Sequence, residues 1–135
     1  MGRGEDRMPK VVNGQWMGTE AEEQMMIFRW AKYMEQQKPE LKLLHHVPNG
    51  GKRDIGTAKK MKLEGVKAGV PDIVLPVSRG GYHGLYIELK VGKNKPTVEQ
   101  LKWLEALEKE GYYTTWCVGS QEAIKTIEEY LQMMR

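Results

Sequence analysis

The stretch PDIVLPVSRGGYHGLYIELK, Pro71 to Lys90, constrains the fold more than any other part of the chain. Ile73, Val74, Leu75 and Val77 lie on one side of a glycine-rich bend, and Leu85, Tyr86, Ile87, Leu89 and Val91 lie on the other. Two short apolar runs around such a bend predict an antiparallel hairpin. If it folds about Gly80, Asp72 and Glu88 are equidistant from the bend and face each other across neighbouring strands. Glu88 and Lys90 are two apart, so the strand period places them on one face. A slip of one residue in the loop would undo this geometry.

Two carboxylates about 4 Å apart at an effective dielectric near 20 repel by roughly 4 kcal/mol. A shared proton, the Lys90 ammonium or a divalent cation could offset that. Carboxylate oxygens with a backbone carbonyl suit Mg²⁺ or Mn²⁺ rather than Zn²⁺, which favours imidazole and thiolate. Such an ion beside a lysine is suited to phosphodiester hydrolysis. The competing reading is a surface ion pair of Lys90 with Asp72 or Glu88, worth under about 1 kcal/mol. His45, His46, His83 and Cys117 lack the paired spacing of a zinc site.

With 135 residues, the chain is the size of one domain. The single cysteine, Cys117, excludes an internal disulfide. No apolar run approaches the roughly 20 residues of a membrane span, and the polar start MGRGEDRMPK has no signal-peptide core, so a cytoplasmic location is expected. Residues 1–18 read as a flexible or extended lead-in, and 19–135 as the folded domain.

Thr19 and Glu22 form a capping box, and Ile27, Trp30, Ala31 and Met34 follow at helical spacing as far as about Gln37. Leu41 to Val47 reads as a strand, and Thr57 to Glu64 as a basic helix ending at Gly65. After the hairpin, Thr97 starts a helix with Leu101, Leu104 and Leu107 inward, stopped by Gly111. Tyr112 to Val118 is a further strand, and Ser120 is expected to cap the last helix. A strand, helix and strand in succession predict a parallel crossover. The fold class is therefore α/β, with a mixed sheet of about four strands flanked by helices. Trp30, Trp103 and Trp116 are expected in the core.

HHVPNGG, KMKLEGVKAGVPDIVL, YIELK and TVEQLKWLEALEKEGY occur in that order. Pro71-Asp72 with Glu88-Leu89-Lys90 resembles the signature of the PD-(D/E)xK nucleases, which have a restriction-endonuclease-like fold. The ordered set more narrowly resembles the stand-alone VRR-Nuc domains of phages and bacteria, relatives of Holliday-junction resolvases. The resemblance runs from about Thr19 to Val118. It implies that Asp72, Glu88 and the Leu89 carbonyl bind the metal and that Lys90 is the catalytic lysine.

It also implies a first-helix acid in the pattern Glu20 to Gln24, although helical angles alone place Glu20 and Glu23 equally well. Gln100 matches a glutamine near the family's site, and it also completes a capping box with Thr97. Asn49, Gly50 and Gly51 resemble the family's loop at the edge of the site, where backbone amides could meet phosphate.

The net charge is +3, but between Gly50 and Gly69 the bases Lys52, Arg53, Lys59, Lys60, Lys62 and Lys67 outnumber the acids Asp54 and Glu64. Lys93 and Lys95 follow the second hairpin strand. Phosphate contacts from these residues would bind DNA without reading its bases. The expectation is a Mg²⁺- or Mn²⁺-dependent endonuclease on branched or Holliday-junction DNA, acting as a homodimer and needing no small-molecule cofactor. The alternatives are a nuclease on flap, nicked or single-stranded DNA, a DNA-binding module that cuts nothing, and a small-molecule phosphoesterase.

Overall fold

The computed structural model describes residues 10–12, 15–48 and 54–135. Two short strands, β1 (Lys10–Val12) and β2 (Gln15–Met17), pair antiparallel with Val11 opposite Trp16, so the described part of the lead-in is extended and paired. Thr19 then accepts the Glu22 N–H, and the Glu22 side chain accepts the Thr19 N–H, which starts α1 (Glu20–Met34). Pro39 opens a 3-10 helix, Pro39–Leu43.

The strand expected over residues 41–47 shrinks to β3 (His45–His46). The cause is the spacing of the apolar residues: Leu41 and Leu44, three apart, are both buried, whereas Leu43 is exposed. That periodicity belongs to a tight helical turn rather than to alternating strand faces.

Asp54 accepts the Thr57 N–H at 2.6 Å and starts α2 (Ile55–Leu63) two residues before its expected position. The hairpin strands are β4 (Ile73–Leu75) and β5 (Leu85–Lys90). The remaining elements are α3 (Val98–Lys109), β6 (Tyr113–Val118) and α4 (Gly119–Leu131). The main sheet runs β3-β4-β5-β6, antiparallel at its first two pairings and parallel between β5 and β6. This is the mixed α/β sheet flanked by four helices that the pattern predicts.

Strand alternation sorts β5 into two sets. Leu85, Ile87 and Leu89 are buried in a cluster with Ile27 and Ala31 of α1 and Ala123, Ile127 and Tyr130 of α4. Each fully buried aliphatic side chain there contributes about 1.5–3 kcal/mol. Tyr86, Glu88 and Lys90 occupy the other face. The buried Tyr130 hydroxyl donates to the Val77 carbonyl at 2.6 Å, tying the last helix to the hairpin.

Two details of the helices differ from expectation. In α3 Leu104 is buried but Leu101 is 46% exposed, and Trp103 donates to the Ala68 carbonyl in the segment between α2 and β4. Trp30, Trp103 and Trp116 are half-buried rather than fully enclosed. Ser120 does not cap α4 with its own side chain. Its N–H instead donates to Glu23 of α1 at 2.9 Å, so a carboxylate from another helix satisfies the N-terminus of α4.

The hairpin bend holds a register correction of its own. Gly80 and Gly81 both have positive φ, 58° and 85°, and Arg79 pairs with Tyr82 across them, the geometry of a two-residue turn. This turn is centred between the two glycines. The ladder is centred on Gly80 itself, with Ile73 opposite Ile87, Val74 opposite Tyr86 and Leu75 opposite Leu85. Pro76, Val77 and Ser78 on one side therefore span what His83 and Gly84 span on the other. The Val77 N–H folds back to the Leu75 carbonyl at 2.9 Å and absorbs the extra residue. Among the described residues, no helix is long and apolar enough to cross a membrane.

Candidate active site

The ladder register, continued beyond Ile73, places Asp72 opposite Glu88. Buried Pro71 precedes Asp72, and the aspartate is held from two strands. Its Oδ2 accepts the Leu89 N–H at 2.8 Å. Its carbonyl accepts the Val47 N–H at 2.7 Å and the His46 Nδ1–H at 2.9 Å. Next along the register, Leu89 would face Pro71, which has no N–H to give the Leu89 carbonyl. Proline thus ends the ladder where the acids begin.

Glu88 is 1% exposed, in the middle of a sheet strand between β4 and β6. Lys90 Nζ lies 3.4 Å from its Oε2. Among the described residues, Glu88 Oε1 is the buried side-chain oxygen left without a hydrogen-bond partner. Burial pushes the Glu88 carboxyl up to about 8, and the Asp72 charge and a hydrogen bond to Asp72 push the same way, against the pull of Lys90. The first turn of α1 brings in Glu20, whose carboxyl is also raised, by burial first and then by Asp72. Lys90 and His46 partly offset that.

Glu20, Asp72 and Glu88 each offer an oxygen, and these atoms all lie within 4.8 Å of one another. Three converging carboxylates, one with a buried and unpartnered oxygen, fit a small hard cation, whose ligand oxygens sit about 2.0–2.6 Å from it. The donor set is all oxygen, which suits Mg²⁺ or Mn²⁺.

Geometry decides what helical angles left open. Glu23 is buried elsewhere, accepting the Gly18 N–H with Oε2 and both the N–H and the hydroxyl of Ser120 with Oε1. Both its oxygens are engaged there, Oε1 in joining α1 to α4, and Glu20 is the acid that reaches the cluster. Gln100 does complete the capping box, with Oε1 accepting the Thr97 N–H at 2.9 Å. No hydrogen bond among the described residues links Gln100 to the three acids.

His46 escaped the sequence reading, which weighed histidines only as zinc ligands. The signal available was its position in an HHVP segment two residues before a proline-led turn. Lys59, Lys60, Lys62 and Lys67 are exposed on and after α2, and Lys93 and Lys95 are exposed on the turn leaving β5. Asn49, Gly50, Gly51, Lys52 and Arg53 lie outside the described residues.

Comparison with known proteins gives a consistent result. The family model of the VRR-NUC domain matches residues 7–121. A solved structure described as a VRR_NUC domain protein superposes with a TM-score of 0.72 and 35% sequence identity, covering 85% of this chain and 89% of that one. No curated protein matches the chain.

Proposed function

We propose, given that the chain belongs to the VRR-NUC domain family and is thus a nuclease-type module acting on DNA, that it is a Mg²⁺- or Mn²⁺-dependent endonuclease of the PD-(D/E)xK type. The observation that carries this reading is the buried Glu88 carboxylate, facing Asp72 and Glu20 with one oxygen unpartnered and Lys90 alongside. Glu20, Asp72 and Glu88 would hold the ion. The Leu89 carbonyl, opposite a proline with no N–H, would join them. A bound divalent ion supplies Lewis acidity toward the phosphate and lowers the pKa of water.

The chain's own groups do the rest. Lys90, fixed by its strand and by Glu88, presents an ammonium to the water and to the charge that grows on the phosphate. Asp72 is immobilised through the Leu89 N–H, so the acids need no reorganisation when substrate arrives. Glu20 closes the cluster from the first helix, and the Gln100 amide lies on the helix that follows the lysine strand. Exposed lysines of α2 and of the turn after β5, together with residues 49–53, would contact phosphates without reading bases. Among the described residues no base-reading element is evident, which favours selection by DNA structure. A two-fold substrate such as a four-way junction would call for a homodimer to cut both strands in register.

The test is cleavage of labelled junction, flap, nicked duplex, intact duplex and single-stranded DNA side by side with Mg²⁺. Lys90→Ala is expected to abolish cleavage while DNA affinity stays within about threefold. Wild-type protein that binds these DNAs but cuts none in Mg²⁺ or Mn²⁺ would leave only a binding module.

A further inference from the structure

Trp16 is 73% exposed, whereas the chain's other three tryptophans are half-buried. It is held outward by its neighbour. Met17 is buried, with its Sδ 3.5 Å from the Gly92 N–H, and its methyl packs so closely on Gly119 that a Cβ there would come within 2.8 Å. The strand is therefore wedged between the turn leaving β5 and the start of α4, and alternation sends Trp16 to the opposite side.

The chain is pinned again immediately afterwards. The Gly18 N–H donates to Glu23, and Thr19 caps α1. Trp16 and Glu20 are four positions apart, so their Cα atoms are within about 14 Å. That is roughly four stacked nucleotides at about 3.4 Å each. The turn against which Met17 packs runs directly from Lys90 and carries the exposed Lys93 and Lys95. An outward indole thus stands one short segment from Glu20, on a strand whose other face packs against the lysine-bearing turn. Cation and aromatic together are what a strand with accessible bases requires.

We propose that Trp16 is a stacking platform for an unpaired base of the DNA substrate, so that the β1–β2 ladder favours DNA with an unstacked nucleotide near the cut. In a continuous duplex both faces of every base are already covered, and the indole finds nothing to stack on. At a junction, flap or gap a base face is free. This inference rests on the nuclease reading above and names the substrate feature that it would recognise.

The test measures affinity of wild type, Trp16→Phe and Trp16→Ala, in EDTA, for flap DNA and for relaxed closed-circular duplex, which has no ends. Trp16→Ala is expected to weaken flap binding about tenfold, which corresponds to about 1.4 kcal/mol of stacking. Trp16→Phe should lose less than about threefold, and duplex affinity should change less than about twofold. Wild-type protein given a flap whose unpaired residues are abasic should show the same tenfold loss, a measurement independent of how any variant folds. A 2-aminopurine in the flap should be quenched by wild type and not by Trp16→Ala.

Equal losses on both DNAs, no loss on either, or quenching that survives Trp16→Ala would overturn the platform while leaving the nuclease intact. Wild-type protein that neither binds nor cuts any DNA would overturn the nuclease reading, and the platform with it.

Discussion

At the scale of single residues, Glu88 stands out among the described residues. Its carboxyl is 1% exposed, faces Asp72 and leaves Oε1 without a partner. A group kept that way is expensive for folding and useful for binding a cation. Glu88→Gln removes the charge at almost constant shape. It is expected to lower cleavage by about 10²-fold or more while raising the melting temperature of the metal-free protein at pH 8 by a few degrees, roughly 1 kcal/mol. Single-turnover cleavage and differential scanning calorimetry check the two halves. Activity and stability falling together would mean that Glu88 is a structural ion-pair partner of Lys90. The pairing of Glu88 with Asp72 was legible from the two runs and their acids. The choice of Glu20 over Glu23 was not, because both lie on the same side of α1 and only the position of Ser120 in α4 shows where Glu23 is needed.

At the scale of elements, α2 stands apart. None of its described side chains is buried, and it exposes Ile55 and Leu63 together with Lys59, Lys60 and Lys62. A helix that contributes so little to the core can change without unfolding the rest. Replacing Lys59, Lys60 and Lys62 by alanine is expected to leave the melting temperature nearly unchanged. It should also reduce the slope of log affinity against log salt concentration on duplex DNA by about 0.9 for each phosphate that these lysines would otherwise neutralise. Titrations at several salt concentrations check this, and an unchanged slope would remove α2 from the DNA interface. The basic character of this helix was plain in the sequence. The short β3 was not, because LKLLHHV reads as a strand until Leu41 and Leu44 are seen to reach the core on a three-residue spacing.

At the scale of the whole molecule, the acid cluster links stability to pH and, on the proposed function, to divalent cations. Below about pH 4.5 Glu88 is protonated in both the folded and the unfolded chain. Between there and about 8 the unfolded chain ionises while the folded one keeps its proton, so the unfolded state binds fewer protons and stability falls as pH rises. The raised Glu20 carboxyl acts in the same direction. The melting temperature of the metal-free protein, measured against Glu88→Gln to isolate this contribution, should fall relative to that variant from pH 5 to 8 and then level off. On the proposed function Mg²⁺ would bind the ionised carboxylates, so it should raise the melting temperature more at pH 8 than at pH 5.5. A difference from Glu88→Gln that does not vary with pH would contradict the assigned burial. Residue types and their period by themselves determined the mixed α/β sheet, the capping boxes that start α1 and α3 and a pair of acids beside a lysine, since propensity and alternation are local properties. Only the tertiary structure decided which acids meet. The Gly80-Gly81 turn taken alone would place Asp72 opposite Leu89, on the wrong face, and one extra residue folded back at Pro76 and Val77 restores the register, a non-local match between strand and turn that no single segment encodes.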